Sequence, residues 1–208
     1  MAYTSQILTS WLHEFTTLVQ QNSGYLTELD AAIGDADHGA NMKRGTTAMA
    51  DHLGDEPPGA LLKKAGMALV SSVGGASGPL FGTLLMRMGM GLGDGENVDI
   101  QQLAAGLRAG VEGLAARGKS TTGEKTMLDA LVPACDALEA ALADGASAAE
   151  AFSRAAEAAR AGRESTIDMV ATKGRASYLG ERARGHQDPG ATSATYLVEA
   201  LAGVVAHA

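Results

Sequence analysis

Apolar side chains recur every three or four residues along almost all of this chain, whereas the alternating pattern of a half-buried strand is nearly absent. The β-branched residues are scattered rather than clustered, which also argues against a sheet. Long apolar stripes of this kind are buried when helices pack side by side. We therefore predict an all-α fold, a bundle of about eight helices. The first helix is predicted from the spacing of Ile7, Leu8, Trp11, Leu12, Phe15 and Leu18.

Several helix boundaries carry recognisable signals. Asp99 and Gln102 are typical of a capped helix start, and Ser147-Ala148-Ala149-Glu150 is a capping box. The alanine-rich helix behind that box is predicted to run to about Val170. Pro133 is expected to kink its helix or to lie in its first turns.

Composition limits the classes of protein to consider. The 208 residues, 46% of them hydrophobic, suffice for one core, so we predict a single domain over 1–208. A formal net charge of −8 argues against nucleic acid as a partner. The single Cys135 excludes an intrachain disulfide and favours a reducing compartment. With no signal pattern at the N-terminus and no apolar run of about 18 residues, we expect no membrane contact and a cytoplasmic location.

Four glycine-rich breaks interrupt the helices, at 34–41, 74–82, 118–127 and 173–190. Their residues are too specific for plain connections. In an up-and-down bundle, breaks at one end meet, so we expect them to form a single site. The glycine-rich stretch 89–95 has no polar partner residue, and we predict a simple loop there.

The first break holds three carboxylates within eight residues, those of Asp30, Asp35 and Asp37. Like charges this close repel one another, and a hard divalent cation such as Mg²⁺ would relieve the repulsion. Gly34 can end the preceding helix so that all three converge. We expect removal of any one carboxylate to relieve this repulsion in the metal-free protein.

Other interpretations of the first break are a solvated acidic loop and a Ca²⁺-binding EF-hand. The EF-hand spacing fails, because Gly39 and Thr46 occupy positions that should hold ligands. His38 alone would more often be a structural histidine. Followed by Gly39 and Asn41, it could open a helix whose N-terminal amides face an anion.

The second and third breaks are weaker signals. The glycines around Ser77 could cradle a phosphate, or they could equally permit close helix crossing, and no Walker A lysine follows. In the third break Met127 could pack on an adenine face, although Thr122 as a helix cap explains that segment more simply.

The fourth break is about twenty residues without apolar periodicity, which is unusual inside a compact domain. Lys173, Arg175, Arg182 and Arg184 give it positive charge. An arginine can neutralise phosphate charge during phosphoryl transfer. A solvated basic loop is the alternative.

Taken together, these motifs resemble one family over essentially the whole chain. It is the family of nucleotide-binding L subunits of bacterial dihydroxyacetone kinase, which also occurs as the C-terminal domain of ATP-dependent dihydroxyacetone kinases. The resemblance implies an all-α barrel of eight antiparallel helices with the nucleotide at one end. It is carried by Gly34-Asp35-Ala36-Asp37-His38-Gly39, Gly74-Gly75-Ala76-Ser77-Gly78-Pro79, Gly123-Glu124-Lys125-Thr126-Met127, the segment from Lys173 to Arg182, and Gly185-His186-Gln187-Asp188-Pro189-Gly190.

The resemblance also implies roles for individual residues. Asp30, Asp35 and Asp37 would hold two Mg²⁺ ions that bridge the phosphates of ADP or ATP, and with Arg175 they would form the catalytic set. Position 40 departs from the family pattern with an alanine, where a backbone contact suffices. The implied nucleotide contacts are His38, Gly39, Ala40, Asn41, Ser77, Gly78, Gly118, Met127, Arg175, Asp188, Pro189 and Gly190.

In the family, the substrate is held covalently on a separate K subunit, and no segment here resembles that subunit. The resemblance therefore implies half an enzyme, which acts with a K subunit and with a phosphotransferase-system M subunit that rephosphorylates bound ADP. A homodimer is possible. The alternatives are a subunit that exchanges ATP and acts on dihydroxyacetone or a related ketose such as erythrulose, a Mg²⁺-dependent phosphohydrolase, and a non-catalytic Ca²⁺-binding module.

Overall fold

Helices fill almost all of the chain that the computed structural model describes, residues 3–207. Two short 3₁₀ segments, Thr166–Asp168 and Arg175–Ala183, and an antiparallel pair of two-residue strands, β1 (Tyr3–Thr4) and β2 (Asn97–Val98), complete it. The all-α prediction is confirmed. Within the described range there are nine α-helices: α1 (Ser5–Gln21), α2 (Ser23–Ile33), α3 (His38–Ala50), α4 (Pro58–Ser72), α5 (Ser77–Leu92), α6 (Ile100–Gly118), α7 (Leu128–Ala143), α8 (Ala148–Ser165) and α9 (Pro189–Ala206).

The helices form a closed ring. From α3 to α9 each helix packs against the next, and α1 contacts both α9 and α3, while α2 lies against α3. The indole Nε1 of Trp11 donates to the backbone carbonyl of Leu197 at 2.9 Å, which ties α1 to α9 where the ring closes. All nine helices contribute buried side chains to one apolar core. None of the helices in residues 3–207 has the length and apolar character needed to cross a membrane.

The predicted capping signals are present. Asp99 and Gln102 each accept the other's backbone N–H at 2.8 Å, and Ser147 accepts the N–H of Glu150. The alanine-rich helix ends at Ser165, however, and not near Val170 as predicted. The hydroxyl groups of Ser165 and Thr166 donate to carbonyls three residues earlier, and such local bonds compete with the helical pattern.

The stretch 89–95, predicted as a loop, is mostly helical, because α5 continues to Leu92 and the turn starts only at Gly93. The reason is a close crossing of α4 and α5. A Cβ at Gly89 would lie 2.5 Å from the carbonyl oxygen of Gly59, and a Cβ at Gly59 would lie 2.0 Å from that of Gly93. These glycines therefore serve backbone packing between two helices.

Pro133 lies inside α7, and it contributes to a second close approach between helices, that of α8 to α7. Because proline has no N–H, the carbonyl of Asp129 loses its usual helical donor. Gly162 of α8 packs directly against that carbonyl, and a Cβ there would lie only 2.0 Å from the oxygen. The missing side chain of Gly162 thus lets α8 approach α7 at this point.

We predict that Gly162→Ala destabilises the protein by about 1–3 kcal/mol, because the added methyl group collides with backbone that cannot rotate away. Gly203→Ala is the matched control. Gly203 lies in α9 with nothing within 4 Å of its added Cβ, so alanine there should stabilise the helix by about 0.5–1 kcal/mol. Urea denaturation of both variants measures the two effects. Equal midpoints would contradict the packing argument.

Candidate functional site

All four glycine-rich breaks border one cavity of about 460 Å³ at one end of the ring. The first break contributes Asp35 and His38, the second Ser77, the third Met127 and the fourth Arg175, each with neighbouring residues. The prediction that the breaks meet in a single site is confirmed. The connections between helices therefore carry the polar chemistry, while the helices hold them in place.

The three carboxylates converge as predicted. Asp30 lies in the last turn of α2, and Asp35 and Asp37 lie in the connection to α3, where Ala36 adopts a left-handed φ of 62°. One oxygen from each lies within 4.8 Å of the others. Opposite oxygens around one Mg²⁺ are about 4.2 Å apart, so small side-chain rotations bring these groups onto an ion. The donor set fits a hard divalent cation.

Asp30 differs from its two neighbours, since it is buried and holds the local backbone together. Its Oδ2 accepts the backbone N–H of Asp37 at 2.9 Å and that of His38 at 3.2 Å, so it satisfies two amides at the start of α3. A Cβ at Gly34 would lie 2.0 Å from the carboxylate of Asp30. Position 34 therefore requires glycine because a side chain would collide with Asp30, and not because the backbone has a left-handed φ.

Asp35 already has a cationic partner. The guanidinium of Arg175 lies 2.9 Å from its Oδ2, and the Arg175 side chain is two-thirds exposed at the edge of the cavity. This ion pair brings the fourth break against the first. It also places an exposed positive charge beside the carboxylates.

His38 connects the second break to α9. Its Nε2 lies 3.0 Å from the Ser193 hydroxyl and its Nδ1 lies 3.1 Å from the Ser77 hydroxyl. Burial lowers the pKa of His38, although Asp30, Asp37 and the Pro189 carbonyl oppose the change. A neutral imidazole suits this position, since one ring nitrogen can donate while the other accepts.

The side chain of Asn41 is also oriented by a hydrogen bond. Its Oδ1 accepts a hydrogen bond from Arg44 at 2.8 Å, and Arg44 also donates to the carbonyl of Ser72. With its oxygen thus engaged, the amide of Asn41 has N–H groups to offer to an acceptor in the cavity, where a phosphate oxygen would be suitable.

The predicted nucleotide contacts divide into two groups. Gly39, Ala40 and Gly78 do not line the cavity: Gly39 packs against the Ser23 carbonyl, Gly78 packs against the Val73 carbonyl, and Ala40 is exposed elsewhere. Their roles stay predictions without support from the cavity. The others do line it, namely His38, Asn41, Ser77, Gly118, Met127, Arg175, Asp188, Pro189 and Gly190.

Apolar side chains also line the cavity. Leu80, Leu114 and Met127 lie there, and Gly118 packs against Leu80. Thr122 does not cap α7 as the simpler interpretation of the third break required. The carboxylate of Asp129 instead accepts the N–H groups of Gly123 and Thr126 and orders the loop ahead of that helix.

Asp188 caps α9, because its Oδ2 accepts the backbone N–H of Ala191 at 2.6 Å. Burial raises the pKa of Asp188 to about 7. The Ala191 amide and the Lys125 ammonium oppose this rise, whereas the charges of Asp129 and Asp30 add to it. The turn of Asp188, Pro189 and Gly190 thus starts from a buried carboxyl group. This group lies in a polar network with Lys125 and Asp129.

Sequence reasoning missed the importance of Lys125 and Asp129, which lie in that network. Lys125 is almost completely buried, and burial lowers the pKa of its ammonium group despite nearby carboxylates. The sequence signal was slight: a lysine in a glycine-rich break is normally solvated. Only the tertiary structure shows that three backbone carbonyls, those of Thr166, Met169 and His186, surround its ammonium group.

Comparison with known proteins identifies this arrangement. A family model for the DAK2 domain matches residues 32–203, which include Asp35, Asp37 and all four glycine-rich breaks, while Asp30 lies two residues before the match. The chain belongs to the DAK2 domain family. Membership confirms the resemblance inferred from the motifs and argues against a Ca²⁺-binding module.

Two curated relatives match this DAK2 domain over nearly their full lengths. The ADP-binding subunit of the phosphoenolpyruvate-dependent dihydroxyacetone kinase of Escherichia coli is 43% identical over 94% of each chain. The corresponding subunit of the phosphotransferase-system-dependent enzyme of Lactococcus lactis is 42% identical over 94% of this chain and 95% of its own.

Solved structures confirm the fold. The C. freundii dihydroxyacetone kinase in complex with AMP-PNP and Mg²⁺ superposes with a TM-score of 0.73 at 25% identity. The match covers 98% of this chain but only 34% of the C. freundii chain. The DAK2 domain here therefore corresponds to about one third of that enzyme.

The geometry changes the expectation that all three carboxylates are equivalent in the metal-free protein. We predict that Asp30→Ala is less stable than Asp37→Ala by about 1–3 kcal/mol. Both changes relieve repulsion, but only the first leaves two N–H groups of the α2–α3 connection without an acceptor. Urea denaturation in EDTA measures the difference.

Asp30→Asn provides the control, because asparagine removes the charge and keeps a carbonyl oxygen as acceptor. It should recover most of the stability lost in Asp30→Ala. Identical stabilities of Asp30→Ala and Asp37→Ala would show that repulsion alone governs the cluster.

Proposed function

We propose that this chain is the ADP-binding subunit of a phosphoenolpyruvate-dependent dihydroxyacetone kinase. It would present a phosphoryl group on a bound nucleotide to dihydroxyacetone held by a partner subunit. The observation that carries the proposal is the convergence of Asp30, Asp35 and Asp37 with Arg175 at one cavity that apolar side chains also line. The near full-length similarity to curated ADP-binding subunits supports it.

The carboxylates are proposed to hold two Mg²⁺ ions. Asp30 is fixed by its bonds to backbone amides, while Asp35 and Asp37 are more exposed and can adjust to an ion. Bound Mg²⁺ would neutralise phosphate oxygens and draw charge away from the transferred group. Phosphates and metals would therefore bind together, each reducing the charge of the other.

The remaining lining residues are assigned by their chemistry. The side-chain amide of Asn41 would donate to phosphate oxygens, and Arg175 would leave Asp35 to neutralise charge in the transition state. Leu80, Leu114 and Met127 would pack on the adenine ring. His38 would fix the position of Ser77 through its ring.

The substrate is proposed to come on a K subunit that docks at the mouth of the cavity. The segment 173–184 borders the cavity through residues 173–176 and carries Tyr178, whose surface is 86% exposed. An exposed aromatic among cationic side chains is typical of a protein-binding surface. The M subunit is proposed to use the same face in turn, rephosphorylating ADP that stays bound. A homodimer would have to leave this face free.

Two further predictions belong to this proposal. The single-domain interpretation is supported by one core to which all nine helices contribute. A cytoplasmic location is favoured by the lone, buried Cys135, whose thiol is kept protonated because burial raises its pKa to about 12.

The proposal predicts a division of activities between subunits. The purified chain should retain ADP in Mg²⁺ and release it in EDTA, because nucleotide and metal complete each other's site. With dihydroxyacetone and ATP alone it should form no product, and addition of a K subunit should produce dihydroxyacetone phosphate. Mass spectrometry of bound nucleotide and a coupled assay of the product measure both.

Three outcomes would contradict this proposal. Nucleotide retention unchanged by EDTA would show that the carboxylates are not the metal site. Release of phosphate from small phosphoesters by the chain alone would instead favour the phosphohydrolase alternative. Complete exchange of bound ADP during dialysis, with activity on ATP, would favour the ATP-exchanging form.

Arg175→Ala should lower phosphoryl transfer at least about 100-fold while changing the Kd for ADP much less. The reason is that its charge is needed most when negative charge develops on the transferred group. The measurements are steady-state kinetics with the K subunit and calorimetric titration with ADP.

Arg154→Ala is the control, since Arg154 is a half-exposed arginine of α8 that lies outside the cavity and pairs with Glu150. It should leave both quantities nearly unchanged. Equal losses of binding and turnover in Arg175→Ala would exclude a transition-state role for this arginine.

A further inference from the structure

Lys125 is a fully buried cation beside the candidate nucleotide cavity, and none of the motif-based assignments gives it a role. It is 2% exposed and adopts a left-handed φ of 62°. Its Nζ donates to the carbonyls of Thr166 and His186 at 2.5 Å, with a longer contact of 3.4 Å to the carbonyl of Met169. These contacts occupy all three N–H bonds of an ammonium group.

Because its donors are occupied, Lys125 is unsuited to hold a phosphate directly. Lys173 offers a contrast in the same cavity lining, since its side chain is 38% exposed and lies 4.0 Å from Glu124. A lysine meant for phosphate would resemble Lys173, with donors free to turn. The buried ammonium instead joins separate pieces of backbone.

The joined pieces form one side of the cavity. His186 lies two residues before Asp188, which begins the turn with Pro189 and Gly190, and the N–H of Asp188 donates to the hydroxyl of Thr166 at 3.0 Å. A Cβ at Gly190 would lie 3.1 Å from Cγ of Met127, two residues after Lys125. Lys125 therefore holds the turn at 188–190 against Met127.

We propose that Lys125 is a positioning residue that sets the base-binding side of the nucleotide cavity without touching the nucleotide. The inference rests on the proposed function and deepens it. The ammonium holds the turn at 188–190 in contact with Met127. This contact sets the shape of the surface on which an adenine ring would pack.

Binding of phosphate groups should be largely independent of the contacts that the Lys125 ammonium makes. Asp30 is held by the amides of Asp37 and His38, and Asp35 pairs with Arg175. None of these contacts involves Lys125 or the carbonyl groups that it binds. Loss of the ammonium should thus weaken binding of the base and spare binding of the phosphates.

The experiment compares two probes in the presence of Mg²⁺: ADP, which has a base, and inorganic tripolyphosphate, which has none. In Lys125→Met the affinity for ADP should fall at least about tenfold, while the affinity for tripolyphosphate changes less than about threefold. Isothermal titration calorimetry measures both. Lys63→Met is the control, because Lys63 is a partly exposed lysine of α4 outside the cavity.

If Lys125→Met fails to fold, Thr166→Val tests the same connection, because Thr166 links Lys125 to the turn at 188–190. The substitution keeps the shape of the side chain and removes the hydroxyl that accepts the N–H of Asp188. The ADP affinity should again fall, by a smaller factor of about three to ten, with tripolyphosphate binding unchanged.

Equal losses for both probes in a folded variant, or no loss for ADP, would overturn the inference. Lys125 would then have only a general structural role. Failure of the wild-type chain to bind ADP at all would instead contradict the proposed function. The two failures are therefore distinguishable in one set of titrations.

Discussion

The carboxylate of Asp30 is the contact on which the site depends. It accepts two backbone N–H groups at the start of α3 from its position in the last turn of α2, and it excludes any side chain at Gly34. That single group therefore sets the path of the connection that carries Asp35 and Asp37. A proposed metal ligand and a structural cap are combined in one side chain, so the proposed metal site is largely preorganised before any ion binds.

Sequence reasoning predicted the fold well because helical periodicity is a local property. It also predicted that the four breaks meet, since the ends of antiparallel helices must lie together. It failed at 89–95 because nothing in a glycine's own neighbourhood shows that another helix crosses it. It missed Lys125 for a similar reason: the three carbonyls that bury its ammonium are 41 to 61 residues away in sequence.

The glycines of this chain serve two distinct purposes. Gly59, Gly89 and Gly162 let helix backbones approach, which keeps the ring narrow and brings its connections close at one end. Gly174, by contrast, has a left-handed φ of 64° and open space around it, so it shapes a loop. From sequence alone the two kinds look the same, and a phosphate cradle cannot be distinguished from a helix crossing.

The two sides of the cavity differ in how they are held. The carboxylate side is partly exposed, and an ion pair there joins Asp35 to the exposed Arg175, so the two side chains have room to rearrange as charge arrives. The opposite side rests on the buried ammonium of Lys125 and the cap formed by Asp188, which cannot move without leaving polar groups unsatisfied. A rigid side for the base next to an adjustable side for the phosphates suits the proposed function, in which the subunit keeps its nucleotide while the terminal phosphoryl group is repeatedly removed and replaced.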